Sequence, residues 1–493
     1  MNYIIGIDIG TTNSKAVAYS YSGQVLVQSN CTYPHLSPAE GYHELDPLAL
    51  FNAVCTVIKT VVQHCNDHQL SAVCFSSAMH GVFAVDHQGD PLTNMITWAD
   101  LRSSAYAKKL KADSLAGTLY ERTGTPIHAM APLCKLMWMK DNLPEIFAKA
   151  YKFISIKEFV FFRFFNRFII DRSVASSTGL FDIHSLTWNQ DALRFASISE
   201  ERLSEHVATT AVISGLVPRY SKELGIGPDI PFVIGGSDGC MAHIGSNALE
   251  PGDVSITIGT SGAVRIMNDA PVKDPNRSIF NYLITDSLYL SGGPVNNGGN
   301  VMQWFARNFL KKDFRSAEEI DRFIAEALLV PPGSDDLVFL PYIFGERAPV
   351  WDADARGIFF GVSASHTLSH FMRAAMEGIS FSLFSILHAV EEVNGPANRI
   401  FASGGFIRSR EWVSLLADVI GKPLRVTHGE DSSAAGAVIL GMQSLGIIHS
   451  WHDAASFFGE AEVFEPDMKA HEVYMRNFGV YSNLYNKFRD LKS

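Results

Sequence analysis

The chain has no pair of cysteines at metal-ligand or redox spacing, no run of basic residues, and no unbroken apolar stretch long enough to span a bilayer. Each absence removes a class of function. The six cysteines, at positions 31, 55, 65, 74, 134 and 240, all fall in the first half without a CxxC. A zinc framework and a disulfide scaffold are therefore excluded, and reduced thiols of a cytoplasmic protein are expected. Acidic residues outnumber basic ones, 51 against 40, for a net charge of −11. No stripe of Lys and Arg gathers to neutralise a phosphate backbone, so nucleic acid is not an expected partner. The most apolar segment, FVFFRFFNRFII, is broken by Arg163, Asn166 and Arg167, short of the roughly 20 apolar residues a membrane helix needs. The overlapping run KFISIKEFVFFRFF is read as one buried helix. The N-terminus enters a strand without a basic or cleavable leader, and no membrane partner is expected.

What the chain does have is length and two related loops. At 493 residues it exceeds what one hydrophobic core supports, so two domains are expected, 1–245 and 246–493. The segment from Pro231 to Ile266 opens with PFVIGG, a buried strand that delivers Asp238 to its C-terminal edge, where open α/β sheets place their ligands. It continues as GDVSITIGTSGAVRI, two apolar runs around GTSG. Small residues at such a turn let backbone N–H groups and hydroxyls approach an anion. The same frame appears at the N-terminus, where YIIGIDIG leads into TTNS and out through KAVAYSY. Two such hairpins point to two similar lobes, each giving one phosphate loop to a cleft between them.

Other residues carry candidate chemistry. Asp8, beside the first loop, suits Mg²⁺, directly or through water, or else caps its turn. Lys15 reaches phosphate or lies solvated. His80 follows a strand, as does the cluster Trp98, Asp100 and Arg102. An aromatic, an acid and a forked donor suit a polyhydroxylated substrate, and they equally suit an ordinary charged strand end. Asp46-Pro47 starts a core helix running to His64. RIFASGGFIRSREWVSLLADVIGKPLRV reads as strand, Gly-Gly turn, helix, strand, with a turn that lets a flat ring such as adenine lie against backbone. DSSAAGAVILGMQSLG reads as a small-residue helix able to pack tightly nearby. Gly235-Gly236-Ser237-Asp238-Gly239 also satisfies G-x-S-x-G, the frame of a hydrolase nucleophile, but no HGGG-type oxyanion segment accompanies it.

The run Met130-Ala-Pro-Leu-Cys-Lys-Leu-Met-Trp-Met-Lys-Asp-Asn142 and the run from Gly404 to Val426 resemble the two signatures of the FGGY carbohydrate kinases. With DIGTTNSK and IGTSG the resemblance spans nearly the whole chain. It implies a two-lobed α/β fold of the actin and hexokinase (ribonuclease H-like) type, with ATP and a sugar in the cleft. It also implies transfer of the ATP γ-phosphoryl group to a sugar hydroxyl in the presence of Mg²⁺, in a chain that is often a homodimer. By position, Asp238 corresponds to the catalytic base and Asp8 to the metal-side acid. Thr11, Thr12, Asn13, Lys15 and Thr260 fall where the family contacts phosphates, and Gly299, Gln303, Gly404, Gly405 and Ser409 at nucleotide positions. Met79, His80, Gly81, Trp98, Asp100 and Arg102 fall with Asp238 where the sugar binds. ITWAD-x-R, TGTPIH, VASSTG, IGTSGA-x-R, VNNGG and GERAP-x-W are similar to the gluconate-phosphorylating members, with Arg102 the first candidate for the substrate carboxylate. Met79-His80-Gly81 is more similar to the xylulose-phosphorylating members, which form the alternative. A non-catalytic member of the same fold is the remaining class, against which both kinase acids stand.

Overall fold

The computed structural model describes residues 1–314, 316–427 and 431–491. It divides into two compact units. The first comprises Met1–Leu249, Asn268–Leu290 and Gly429–Gly459, the second Glu250–Met267, Ser291–His428 and Glu460–Ser493. The first change of unit falls close to the expected 245/246 break, but two later segments return to the first unit.

In the first unit β1 (Asn2–Ile9) and β2 (Asn13–Ser20) form the expected antiparallel hairpin, extended by β3 (Val25–Thr32). Helix α1 (Pro47–His64) starts where Asp46 accepts from the Leu48 N–H and Pro47 supplies a pre-set φ. Its Leu50, Phe51, Val54, Val57, Ile58 and Val61 are buried at three- and four-residue spacing, which fixes one face on the sheet. The chain continues through β4 (Gln69–Ser77), α2 (Pro132–Asn142), α3 (Ile156–Phe165), α4 (Arg172–Ser176), β5 (Val212–Ile213), β6 (Phe232–Ser237) and α5 (Asp238–Ile244). The sheet order is β5-β6-β4-β1-β2-β3, with β4 parallel to both β1 and β6. Phe51, Phe159, Phe161, Phe164 and Phe232 build the core beside it. The apolar segment read as a single helix is a short strand, Lys152–Ile154, followed by α3, because Ser155 and Glu158 form a capping box that starts the helix there.

The second unit repeats the scheme. Strands β7 (Asp253–Ile258) and β8 (Gly262–Asn268) form the second hairpin, with β9 (Tyr289–Val295) beyond it. Next come α6 (Gly299–Phe305), α7 (Leu368–Asn394), β10 (Arg399–Ser403), α8 (Arg410–Ile420), β11 (Leu424–Val426) and β12 (Glu462–Phe464). Six of its sheet's seven strands, in the order β9-β8-β7-β10-β11-β12 with β10 parallel to β7 and β11, repeat the order of the first sheet down to an antiparallel edge pair. Helix α7 buries residues from Met372 to Val390 and is the core helix of this unit.

The small-residue helix Ser432–Ser444 packs in the first unit. A Cβ on Gly436 would lie 1.9 Å from the Met241 carbonyl oxygen, one on Gly245 1.8 Å from that of Ser432, and one on Gly6 2.4 Å from that of Ala434. Glycine at these positions lets the helix backbone rest directly on β1 and α5.

Candidate active site

Strand β6 ends with Asp238 as the first residue of α5. Its Oδ1 accepts from the Gly239 N–H at 2.8 Å, and the side chain is half-buried. Three features fix this corner. Gly235 has φ +66°, and a Cβ there would lie 1.7 Å from the Phe75 carbonyl oxygen, so only glycine fits. Ser173 Oγ meets Ser237 Oγ at 3.0 Å and accepts from the Ser237 N–H at 3.1 Å. The buried Lys157 Nζ donates to the Gly236 carbonyl at 2.8 Å and pairs with Asp171 Oδ2 at 2.6 Å. Burial pulls the Lys157 ammonium below the usual lysine range, and Asp171 opposes this. The hydrolase reading of GGSDG fails here. Ser237 is fully buried, and its Oγ caps α5 through the Cys240 N–H and meets Ser173.

Asp8 lies opposite Lys15 in the first hairpin and accepts from Ser76 Oγ at 2.9 Å. Its carboxyl is pushed up to about 8, first by burial, then by the negative charges of Asp431 and Asp238. Asp431 was not singled out from the sequence. It caps the helix Ser432–Ser444 by accepting from the Ala434 N–H at 3.1 Å, and it pairs with Lys15 Nζ at 3.0 Å. The sequence signal was an Asp ahead of a small-residue helix, but its relation to Asp8 depends on where that helix docks. Among the described residues no three His, Cys, Asp or Glu side chains are grouped to chelate a metal by themselves. Asp8 offers carboxylate oxygens, donors that suit a hard cation such as Mg²⁺, which keeps water and phosphate oxygens as its other ligands. Thr11, Thr12 and Asn13 sit at the hairpin turn, where Gly10 N–H donates to the Asn13 carbonyl at 3.1 Å.

The expected sugar residues lie on two turns of the first unit. Met79, His80 and Gly81 follow β4. His80 adopts φ +67°, and its Nδ1 lies 2.8 Å from the Ser177 carbonyl oxygen. A Cβ on Gly81 would sit 2.7 Å from Met95 Sδ. Trp98 is half-buried on the second turn. Asp100 and Arg102 are engaged with each other inside the second turn. Asp100 is fully buried, with Oδ1 accepting from Arg102 N and Nε at 3.0 and 2.9 Å, and Oδ2 from His43 N and Arg102 Nη2 at 2.7 and 2.8 Å. Arg102 Nη2 also donates to Glu44 at 2.6 Å, and the guanidinium lies 3.8 Å over the Tyr42 ring and 5.0 Å over Trp138. These two side chains brace the turn from inside.

Five of the residues expected to meet the nucleotide converge in the second unit. Thr260, Gly299, Gln303, Gly405 and Ser409 line one cavity of about 760 Å³, walled by Trp412 and other apolar side chains, a volume typical of ligand pockets. Gly299 and Asn300 N–H groups bond to the Gly259 and Thr260 carbonyls at 2.8 and 3.1 Å, tying α6 to the hairpin turn. Gly405 has open space at its Cβ position, whereas one on Gly404 (φ +97°) would lie 2.5 Å from the Ile258 carbonyl oxygen. Gly404 makes the turn and Gly405 faces the cavity. Ser409 Oγ caps α8 and meets Glu411 at 3.1 Å. Glu346 stands in the GERAP-x-W run. Buried, it accepts from Asn296 N at 2.6 Å, Arg347 N at 2.8 Å and Asn297 Nδ2 at 3.0 Å, which anchors the segment leading to Gly299. Burial raises its carboxyl to about 7 against the pull of these donors.

Comparison with known proteins places the whole chain in one family. The models for the N- and C-terminal domains of the FGGY family of carbohydrate kinases match residues 3–245 and 254–445. Gluconokinase of Bacillus subtilis (strain 168) is 40% identical over 489 residues, covering 98% of this chain and 95% of that protein. A xylulose kinase of Staphylococcus epidermidis is 30% identical over 497 residues, covering 99% and 97%. Among solved structures, gluconate kinase from Lactobacillus acidophilus matches with a TM-score of 0.94 at 36% identity, covering 99% of this chain and 98% of that one. A ligand-bound xylulose kinase from the same organism matches with the same TM-score and identity over 99% of both chains. The paired hairpins, the Asp238 corner and the full-length matches together place this chain in the FGGY family of carbohydrate kinases, two-domain α/β enzymes that phosphorylate sugars with ATP.

Proposed function

We propose that the protein transfers the ATP γ-phosphoryl group to the terminal hydroxyl of D-gluconate, giving 6-phospho-D-gluconate. The observation that carries the substrate choice is the 40% identity to a gluconokinase over nearly the whole chain, against 30% for the xylulose kinase. Asp238 accepts the hydroxyl proton as the oxygen attacks the γ-phosphorus, and ADP leaves with the bridging oxygen. Its rigid corner on β6 supports that role, because positioning supplies most of the catalysis in phosphoryl transfer. Met79, His80, Gly81 and Trp98 meet the sugar, while Asp100 and Arg102 hold the second turn in shape.

Thr260, Gly299, Gln303, Gly405 and Ser409 hold the nucleotide, with Gly404 forming the turn. Thr11, Thr12, Asn13 and Lys15 meet phosphate. Mg²⁺ would be held on the Asp8 side and would spread the charge of the transferring group. The domains at 1–245 and 246–493 would then serve sugar binding with the base, and nucleotide binding, respectively.

The deciding experiment is ADP release by purified protein with Mg-ATP, comparing D-gluconate with D-xylulose, L-ribulose and glycerol. Selectivity for gluconate supports the reading. Preference for D-xylulose favours the second reading, to which the Met79-His80-Gly81 run points, and leaves Asp238 in its role.

A further inference from the structure

Lys135 lies at the heart of a signature run, yet it touches neither a phosphate loop nor the nucleotide cavity. It sits on α2, fully buried. Its Nζ donates to the carbonyl oxygens of His80 at 2.6 Å, Thr97 at 2.8 Å and Ile96 at 3.3 Å. All three acceptors are neutral backbone. The nearest acids act on it only through space, Asp100 foremost, and burial brings the ammonium down to about 7. An ammonium has three donors in total, and here all are spent on main chain. A buried charge is costly, so the arrangement persists because it holds something in place.

The three carbonyls belong to two different segments. His80 is in the left-handed region, where a non-glycine residue needs external support. Thr97 precedes Trp98, and its carbonyl also accepts from the Asp100 N–H at 3.2 Å. The backbone bridge between Val82 and Ile96 joins the segments at their base. Lys135 carries the link outward to the turns themselves.

We propose that Lys135 is a positioning residue that sets the spacing between the Met79–Gly81 turn and the Trp98–Arg102 turn, and thereby sets the affinity for the sugar. The inference rests on the reading that these turns meet the sugar. Methionine at 135 keeps the length and apolar stem and removes the donors.

The test is steady-state kinetics of Lys135→Met and Lys135→Gln beside two controls. Met139→Ala opens a void in the same helix at a fully buried position, one turn beyond Lys135. Trp98→Ala alters the sugar side directly. The expected result is a rise of about tenfold or more in the gluconate KM of the Lys135 variants, with the ATP KM within about twofold. Met139→Ala lowers the melting temperature and leaves the gluconate KM near wild type. A folded Lys135 variant with unchanged gluconate KM overturns the proposal, as does an equal rise in Met139→Ala. If Trp98→Ala leaves the gluconate KM unmoved, the sugar-site reading fails instead.

Should neither Lys135 variant fold, native-state hydrogen exchange on the wild-type protein decides. Amides of residues 80–81 and 98–100 then open as one unit with a common free energy, and separate openings refute the tie.

Discussion

Lys157 and Asp171 pair at 2.6 Å beneath the strand that ends in Asp238, and the same lysine donates to the Gly236 carbonyl two residues before that acid. Both side chains are buried. Removing one partner strands the other charge, which typically costs about 3–5 kcal/mol. Lys157→Met is expected to lower the thermal midpoint and to cut kcat more than either KM, since the Asp238 corner loses its brace. Calorimetry with steady-state kinetics checks this, and an unchanged kcat in a folded variant would show that the pair serves stability alone.

Asp238→Ala removes the proposed base from a half-buried helix start. Removing a general base typically costs about 10²–10⁴ in rate. The fall should appear in kcat, with the gluconate and ATP binding constants within about threefold of wild type. Isothermal titration beside turnover separates binding from chemistry. Near-wild-type turnover would end the assignment.

The Asp8 carboxyl gives a pH signature. Its folded-state value of about 8 lies above the ordinary carboxyl value of 3.8, burial being the first cause and the Asp431 and Asp238 charges the next. Between those values the folded protein binds more protons than the unfolded chain, so this group's contribution to stability falls as pH rises from about 4 to about 8. Asp8→Asn should flatten that slope, raise the melting temperature of the ligand-free protein at pH 8, and abolish turnover. Added Mg²⁺ should stabilise wild type at pH 8 more than the variant. Parallel melting curves across this window would contradict the reading.

Arg102 was expected to grip the substrate carboxylate, yet its Nε and Nη2 are engaged by Asp100 and Glu44. Arg102→Ala should therefore raise KM for gluconate and for D-xylulose by similar factors, because it loosens the turn that carries Trp98. A rise confined to gluconate would restore the carboxylate role, since only that substrate carries the charge.

Helix docking makes the last prediction. Gly436→Ala places a methyl where 1.9 Å separates it from the Met241 carbonyl oxygen. Backbone cannot yield as a side-chain tip does, so a loss beyond the usual 1–3 kcal/mol of overpacking, roughly, is expected. Activity should fall with it, as Asp431 moves away from Lys15. A melting temperature within a degree of wild type would refute this contact.

The elements close to the chemistry were legible in the residues because their signals are local. Alternation and glycine placement marked both hairpins, Asp46-Pro47 marked the start of a helix, and PFVIGG ahead of Asp238 marked a strand end, each set by short-range sterics and capping. Tertiary structure alone decided three other things. It seated Ser432–Ser444 on the first unit and so brought Asp431 to Asp8, since close backbone approach depends on glycines from distant segments meeting. It turned Asp100 and Arg102 inward, since a carboxylate and a guanidinium pair wherever the fold removes water from both. And it spent Lys135 on three carbonyls, a role no spacing announces, because those acceptors belong to turns about 40 and 55 residues away that only the packed chain brings to one nitrogen.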